Sequence, residues 1–282
     1  MFWIARRGAL LAALLTLVAS VEITHAEEST FRDLVRTFVL KSTAEGKSRP
    51  TSGGPLAMLP EGLDQLVALE YTVLKRTPTG EEPVDASQHH FRIGDQVRLR
   101  IKPLSGLYIY IFHEGASGHR TCLLPTEKET PPLAQPDKSL DLPADGSVFE
   151  FAPPAGDEKL IVVALEKPSQ DLATLSDVIF KKPTEQLTDE DKKIQATLRA
   201  KHDQTLKSIL ERQAQGTRYR GLFTDEALSR VAKQASAAGA TRALFEEPPH
   251  GTTTSTLAMS AARRDAGQGE LFVTIPLKST GK

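Results

Sequence analysis

The sequence predicts a mainly β protein with an α-helical insertion, and three observations carry that expectation. Apolar and polar residues alternate through Ile93, Val97, Leu99 and Ile101, then through Leu107, Ile109 and Ile111, the two-residue period of strands with one buried face. Val148, Phe149 and Phe151 lead through a Pro-Pro-Ala-Gly turn into residues 160–165, an unbroken apolar run of the kind a buried strand shows. Between that run and a last alternating segment at Leu271, Val273 and Ile275, the apolar spacing becomes helical.

Taken from the start, residues 1–26 read as a secretory signal. Arg6 and Arg7 supply the basic region, residues 9–21 an apolar run of 13, and Thr24-His25-Ala26 a small-x-small cleavage site. A membrane-spanning helix needs about 20 apolar residues, so the expectation is cleavage after Ala26 and an exported chain, periplasmic or secreted, with no membrane span left. Cleavage leaves 33 basic against 35 acidic residues, a net charge of −2.

Residues 27–65 combine a short helix and a linker. Phe31, Leu34, Val35 and Phe38 are spaced for an amphipathic helix that docks on the core, and residues 41–60 are rich in Ser, Gly and Pro. Residues 66–168 are the expected β-sandwich core. Its first strand is 66–76, and 78–87 is a polar connection. Residues 169–240 form the helical insertion, with a short helix near 171–180. Thr188-Asp189-Glu190-Asp191 is a capping box that starts a long helix, with Ile194, Leu198, Leu206, Ile209 and Leu210 on one face. A further helix starts at Thr224 with Asp225 and Glu226 in its first turn and ends near Gly239. Residues 241–282 hold C-terminal strands that return to the sandwich, which makes the helices an insertion on one edge of the sheet.

Composition excludes several function classes. Hydrophobic content of 39% and charged content of 25% are those of an ordinary globular chain. A net charge of −1 lacks the clustered basic face that nucleic acid requires. Cys122 is the single cysteine, so there is no disulfide and no thiolate zinc cage. In a strand it reads as a small buried hydrophobe.

At Phe91-Arg92-Ile93-Gly94-Asp95-Gln96-Val97, then Gly106-Leu107-Tyr108-Ile109-Tyr110-Ile111 and Leu123-Leu124-Pro125, the chain resembles the bacterial domain of unknown function 4384 family (DUF4384). Further matching residues are Ala152-Pro153-Pro154-Ala155-Gly156, Glu166-Lys167-Pro168 and the closing 270–275. Leu107, between Gly106 and Tyr108, and Ala155, where the family often has Gly, depart from the pattern. The resemblance covers about 84–168 plus the tail. It implies an immunoglobulin-like antiparallel β-sandwich with two or three helices, an accessory module of exported proteins without established activity. It carries over no catalytic residue.

No chemistry-bearing motif rises above its structural reading. Gly115-Ala116-Ser117-Gly118-His119 lacks the nucleophile-elbow spacing and reads as a hairpin turn. His89, His90, His113 and His119 flank neighbouring strands at intervals too irregular for metal ligation. Asp157-Glu158 and Glu246-Glu247 read as solvated, proline-flanked turns. Tyr108, Tyr110 and Phe112 alternate along one strand; exposed, they would be an aromatic binding strip, whereas alternate faces of a sandwich strand predict core. No catalytic, cofactor-binding or metal-ligating residue is therefore assigned. The expected function is non-enzymatic binding of an envelope protein or surface polymer. The alternatives are a periplasmic hydrolase or a helix-mediated oligomer.

Overall fold

The computed structural model describes residues 31, 32, 35, 36, 63, 65–126, 131–173, 187–223, 225–263, 265 and 267–281. The expected signal, the 41–60 linker and most of the 171–180 helix lie outside them. In chain order the strands are Gln65–Thr77 (β1), Gly80–Val84 (β2), His90–Arg92 (β3), Gln96–Pro103 (β4), Leu107–Glu114 (β5), Arg120–Leu124 (β6), Leu133–Ala134 (β7), Leu140–Leu142 (β8), Phe149–Glu150 (β9) and Asp157–Leu165 (β10). A long helix, Asp189–Ala214 (α1), follows; then come Thr217–Arg220 (β11), helix Asp225–Ala237 (α2), Arg242–Glu247 (β12), Thr256–Ala262 (β13) and Glu270–Thr280 (β14).

The strands make two sheets packed like a sandwich. The first has the order β11-β12-β13-β1-β4-β8, with β2 on β1 and β9 on β4; the second has the order β3-β14-β10-β5-β6, with β7 on β5. The tail closes the fold as its alternation predicts. β14 pairs with β10 from Asp157↔Lys278 to Leu165↔Glu270, and Leu271, Val273 and Ile275 share one core with Val97 on the facing sheet. The sheets are mixed rather than purely antiparallel, because β11 runs parallel to β12 and β14 parallel to β3.

Alternation decides which residues fill which layer. On β5, Leu107, Ile109 and Ile111 point between the sheets, with Val162 and Ala164 of β10 beside them. Tyr110 and Phe112 point outward, with Ile161, Val163 and Leu165, and this outer face is covered by Leu206 and Ile209 of α1 and by Leu172 and Ala173. The outer face of the first sheet, Phe245, Leu257, Met259 and Ala261, is covered by Phe31, Val35, Phe223 and Leu228. The helices therefore cap both outer faces instead of lying along one edge, and the order of layers is α, β, β, α. That is why residues 160–165 are apolar without alternation: each face of β10 is buried.

Two further expectations are corrected. Residues 78–87 contain β2, paired with β1 from Val73↔Val84 to Thr77↔Gly80. The region 169–240 is not wholly helical, since β11 joins the first sheet, and α2 then crosses back to the parallel β12. The helix ends follow the sequence. Thr188 Oγ1 accepts from the Asp191 amide and Asp191 Oδ2 from the Thr188 amide, both at 3.1 Å, and Gly239, at φ 62°, takes the left-handed turn after α2.

Buried ion pairs fasten the helical layers. Arg32 Nη1 and Arg36 Nη2 lie 3.4 and 2.6 Å from the Glu70 carboxylate. Arg212 donates to both Glu270 oxygens at 2.9 and 2.8 Å, and Arg242, itself buried, lies 3.4 Å from the same carboxylate. Among the described residues no helix is long and apolar enough to cross a membrane.

Candidate functional site

One end of the sandwich does not close completely. On β5 the inward row Leu107, Ile109, Ile111 ends at His113, which is paired in register with Leu160 of β10. Glu158, two residues before Leu160, is the diagonal neighbour of that histidine on the same face. His113 Nε2 lies 2.6 Å from Glu158 Oε2, the histidine side chain about a third exposed and the glutamate at 9%. Behind this pair Val97, Leu123, Phe149, Phe151, Leu160 and Leu277 wall a cavity of about 300 Å³, with Val148 and Glu150 at its side. That volume is at the lower end of small-molecule sites. β10 enters the sheet at this end and leaves at Leu165 towards the helical insertion, whose α1 runs back over the outer face and brings Asp203 to Arg120 near the pocket.

The charges around the mouth are distributed unevenly. Lys159 Nζ lies 2.6 Å from Glu114 Oε1, and Arg120 reaches both Glu114, at 2.8 Å, and Asp203, at 2.7 Å. Burial works to raise the Glu114 carboxyl, but the hydrogen bonds from Lys159 and Arg120 outweigh it and hold the group below its usual range. Glu150 accepts from the neutral Gln96 Nε2, at 3.0 Å. Among the described residues neither Glu150 nor Glu158 has a lysine or arginine within salt-bridge distance. The arrangement can hold an apolar group, hydrogen-bond its polar end, and hold a proton on an oriented imidazole.

Apart from His113 and Glu158, the structure puts the sequence candidates elsewhere. Tyr110 and Phe112 are fully buried beneath α1 and Tyr108 is half-buried at the margin, so this strip is the floor on which the helix docks. Tyr110 Oη accepts from the Ser169 amide at 2.8 Å, and the Phe112 ring meets His202 edge-on at 4.7 Å. His89 and His90 adjoin or lie on β3, separated from the strand of His113 by β14 and β10. Ser117 and His119 sit in the β5–β6 hairpin, closed by Gly115 N to His119 O at 2.9 Å. Burial pushes the Cys122 thiol up to about 12, so it does not ionise near neutrality. The acidic pairs are corrected. Glu158 is on β10 against His113, not in a solvated turn. Glu246 and Glu247 are buried on β12, paired with Arg218 at 2.8 Å and with Arg32 at 3.7 Å. A histidine ending an apolar row on one strand, with an acid opening the next buried run, was the available signal for the pocket.

Fold and site together define a two-sheet β module with an apolar pocket at one end. Within it, residues 90–168 match the model of a domain of unknown function, DUF4384. The match runs from β3 to β10 and leaves out β14, which lies between those two strands in the sheet, and β1, the antiparallel partner of β4. The matched segment is thus completed by strands from both sides of it. Comparison with the curated proteins gave no match, and neither did comparison with the solved structures.

Proposed function

We propose that the chain is an exported, non-enzymatic binding module that holds an apolar group of an envelope protein or surface polymer in the inter-sheet pocket. The observation that carries this reading is the pocket lining, which is mostly hydrocarbon from several strands, with no serine, threonine, cysteine or lysine among the described residues forming it. A covalent route through a hydroxyl, thiol or amine needs such a side chain beside the base. Export is supported by the basic, apolar and small-residue sections of residues 1–26. The same reading takes the module as immunoglobulin-like. Its support is connectivity: β1, β4, β8 and β9 follow the A-B-E grouping of that fold, β5, β10 and β14 the C-F-G grouping, with β6 beside β5. Residues 169–262 then form one long insertion between its last two strands.

Titration with N-phenyl-1-naphthylamine, a neutral dye that brightens in apolar sites, tests the pocket. One saturable site is expected, lost in Val148→Trp, which fills the cavity from a loop. An undiminished signal in that variant would remove the pocket from the proposal. Affinity capture from the cell envelope with both forms then identifies a partner that requires the open pocket.

A hydrolase is the second reading, favoured by the 2.6 Å contact of His113 with Glu158, since an imidazole oriented by a carboxylate can activate water. Turnover of a chromogenic ester that vanishes in His113→Gln would establish it. The oligomer reading draws on Ile194 and Leu210 of α1, 53% and 49% exposed; sedimentation of the full chain measures it.

A further inference from the structure

The pocket is apolar along its walls and acidic at its mouth, and that combination restricts its occupant. Val97, Leu160 and Leu277 present hydrocarbon, while Glu150 and Glu158 are the carboxylates that reach the cavity. Each is engaged by a group that brings no fixed positive charge, Glu150 by Gln96 and Glu158 by His113. Lys159, next to Glu158 in the chain, and Arg120 are taken by Glu114. Carboxylates left without a lysine or arginine favour an incoming cation, and walls that exclude water strengthen the attraction. An incoming anion would face both carboxylates while losing its own hydration.

Resting on the reading of this cavity as a ligand pocket, we propose that its occupant is a lysine side chain of a partner protein. The aliphatic stem lies along Val97, Leu160 and Leu277, and the primary ammonium faces Glu150 and Glu158. Lysine pairs an apolar stem with a charged head that stays near water, which matches a hydrocarbon floor and a charged mouth. The cavity of about 300 Å³ equals the liquid volume of about ten waters, enough for one such side chain.

Two-dimensional NMR titration of the full chain tests this with three probes: Nα-acetyl-lysine methylamide, the norleucine analogue that lacks only the ammonium, and hexylamine. The lysine probe is expected to move the resonances of Val97, Leu123 and Leu160 and to bind about tenfold more tightly than the norleucine probe, the effect of one partly solvated charge pair. Glu150→Gln, a change at an exposed side chain, should reduce that ratio to a few-fold and leave norleucine binding intact. Rising salt should weaken the lysine probe alone. Equal binding of the two amino-acid probes would overturn the ligand class while leaving the pocket reading in place. Hexylamine binding without the lysine probe would overturn the protein source in favour of a free amine. No movement of pocket resonances with any probe would overturn both proposals.

Discussion

Replacing His202 with leucine should remove a pH-dependent weakness in the docking of α1 on the second sheet. His202, on the inner face of α1, is fully buried, edge-on to Phe112 at 4.7 Å, and its Nε2 has no hydrogen-bond partner among the described residues. Burial pushes the imidazole down to about 4, against the upward pull of Asp203, whose Oδ1 lies 3.3 Å from Nδ1; Arg120 of β6 and Arg199 of α1 add to the lowering. An unfolded histidine titrates near 6.5, so the unfolded chain takes up the proton first. Stability is therefore complete above pH 6.5, is lost as the pH falls towards 4, and changes no further below that. The difference between the two states is worth about 3 kcal/mol, of which about 2.5 kcal/mol has gone by pH 4.5. Urea unfolding of wild type and His202→Leu between pH 7 and pH 4.5 reads this directly, because the carboxylates common to both chains cancel in the difference. The wild type should lose about 2.5 kcal/mol more than the variant over that range. Parallel stability curves would refute the assignment of the acid sensitivity to this imidazole.

Three other expectations follow from packing. Deleting residues 267–282 removes β14 and with it the buried Leu271, Val273, Ile275 and Leu277; at about 2–5 kcal/mol for each lost core side chain this exceeds the stability of an ordinary domain, so circular dichroism should show no cooperative unfolding transition. Glu270→Gln leaves the buried Arg242 without the carboxylate 3.4 Å away and should cost about 3–5 kcal/mol in urea unfolding. Gly216→Ala would put its Cβ 2.8 Å from the Arg242 carbonyl oxygen, which the sheet holds in place, whereas Gly269→Ala meets only the movable carboxylate end of Glu166. The first should lower stability by about 1–3 kcal/mol and the second by clearly less, and equal losses in thermal melts would contradict this account of the backbone contact.

The strands legible in the sequence are those whose pattern reflects a single cause. β4 and β5 alternate because one face meets the opposite sheet, and α1 begins where Thr188 and Asp191 cap it. β12 was hard to read because its six residues are all buried, yet half of them are charged. Arg242, Glu246 and Glu247 are tolerated there with the help of Glu270, Arg218 and Arg32, partners about 30 to 215 residues away in the chain that no local window contains. β11 was hidden by its composition, Thr-Arg-Tyr-Arg, which pairs only because α2 carries the chain back to β12.

The pocket was less legible than the fold, for a related reason. The pairing of His113 with Glu158 depends on the register between β5 and β10, and a shift of one residue would turn the glutamate to the helix-covered face. Register is fixed by the rows Ile109, Ile111 and Val162, Ala164 burying on the same side, so the position of the polar pair is set by apolar residues that form no part of the mouth. The pocket exists because those rows stop before the sheets do: beyond Ile111 and Leu160 the inward positions pass to His113 and Glu158, which cannot pack as hydrocarbon. A chain with isoleucine at 113 and leucine at 158 would extend the core to the end of the sandwich and, on this reasoning, gain stability while losing the site. That is the trade the proposed binding role predicts for these two positions.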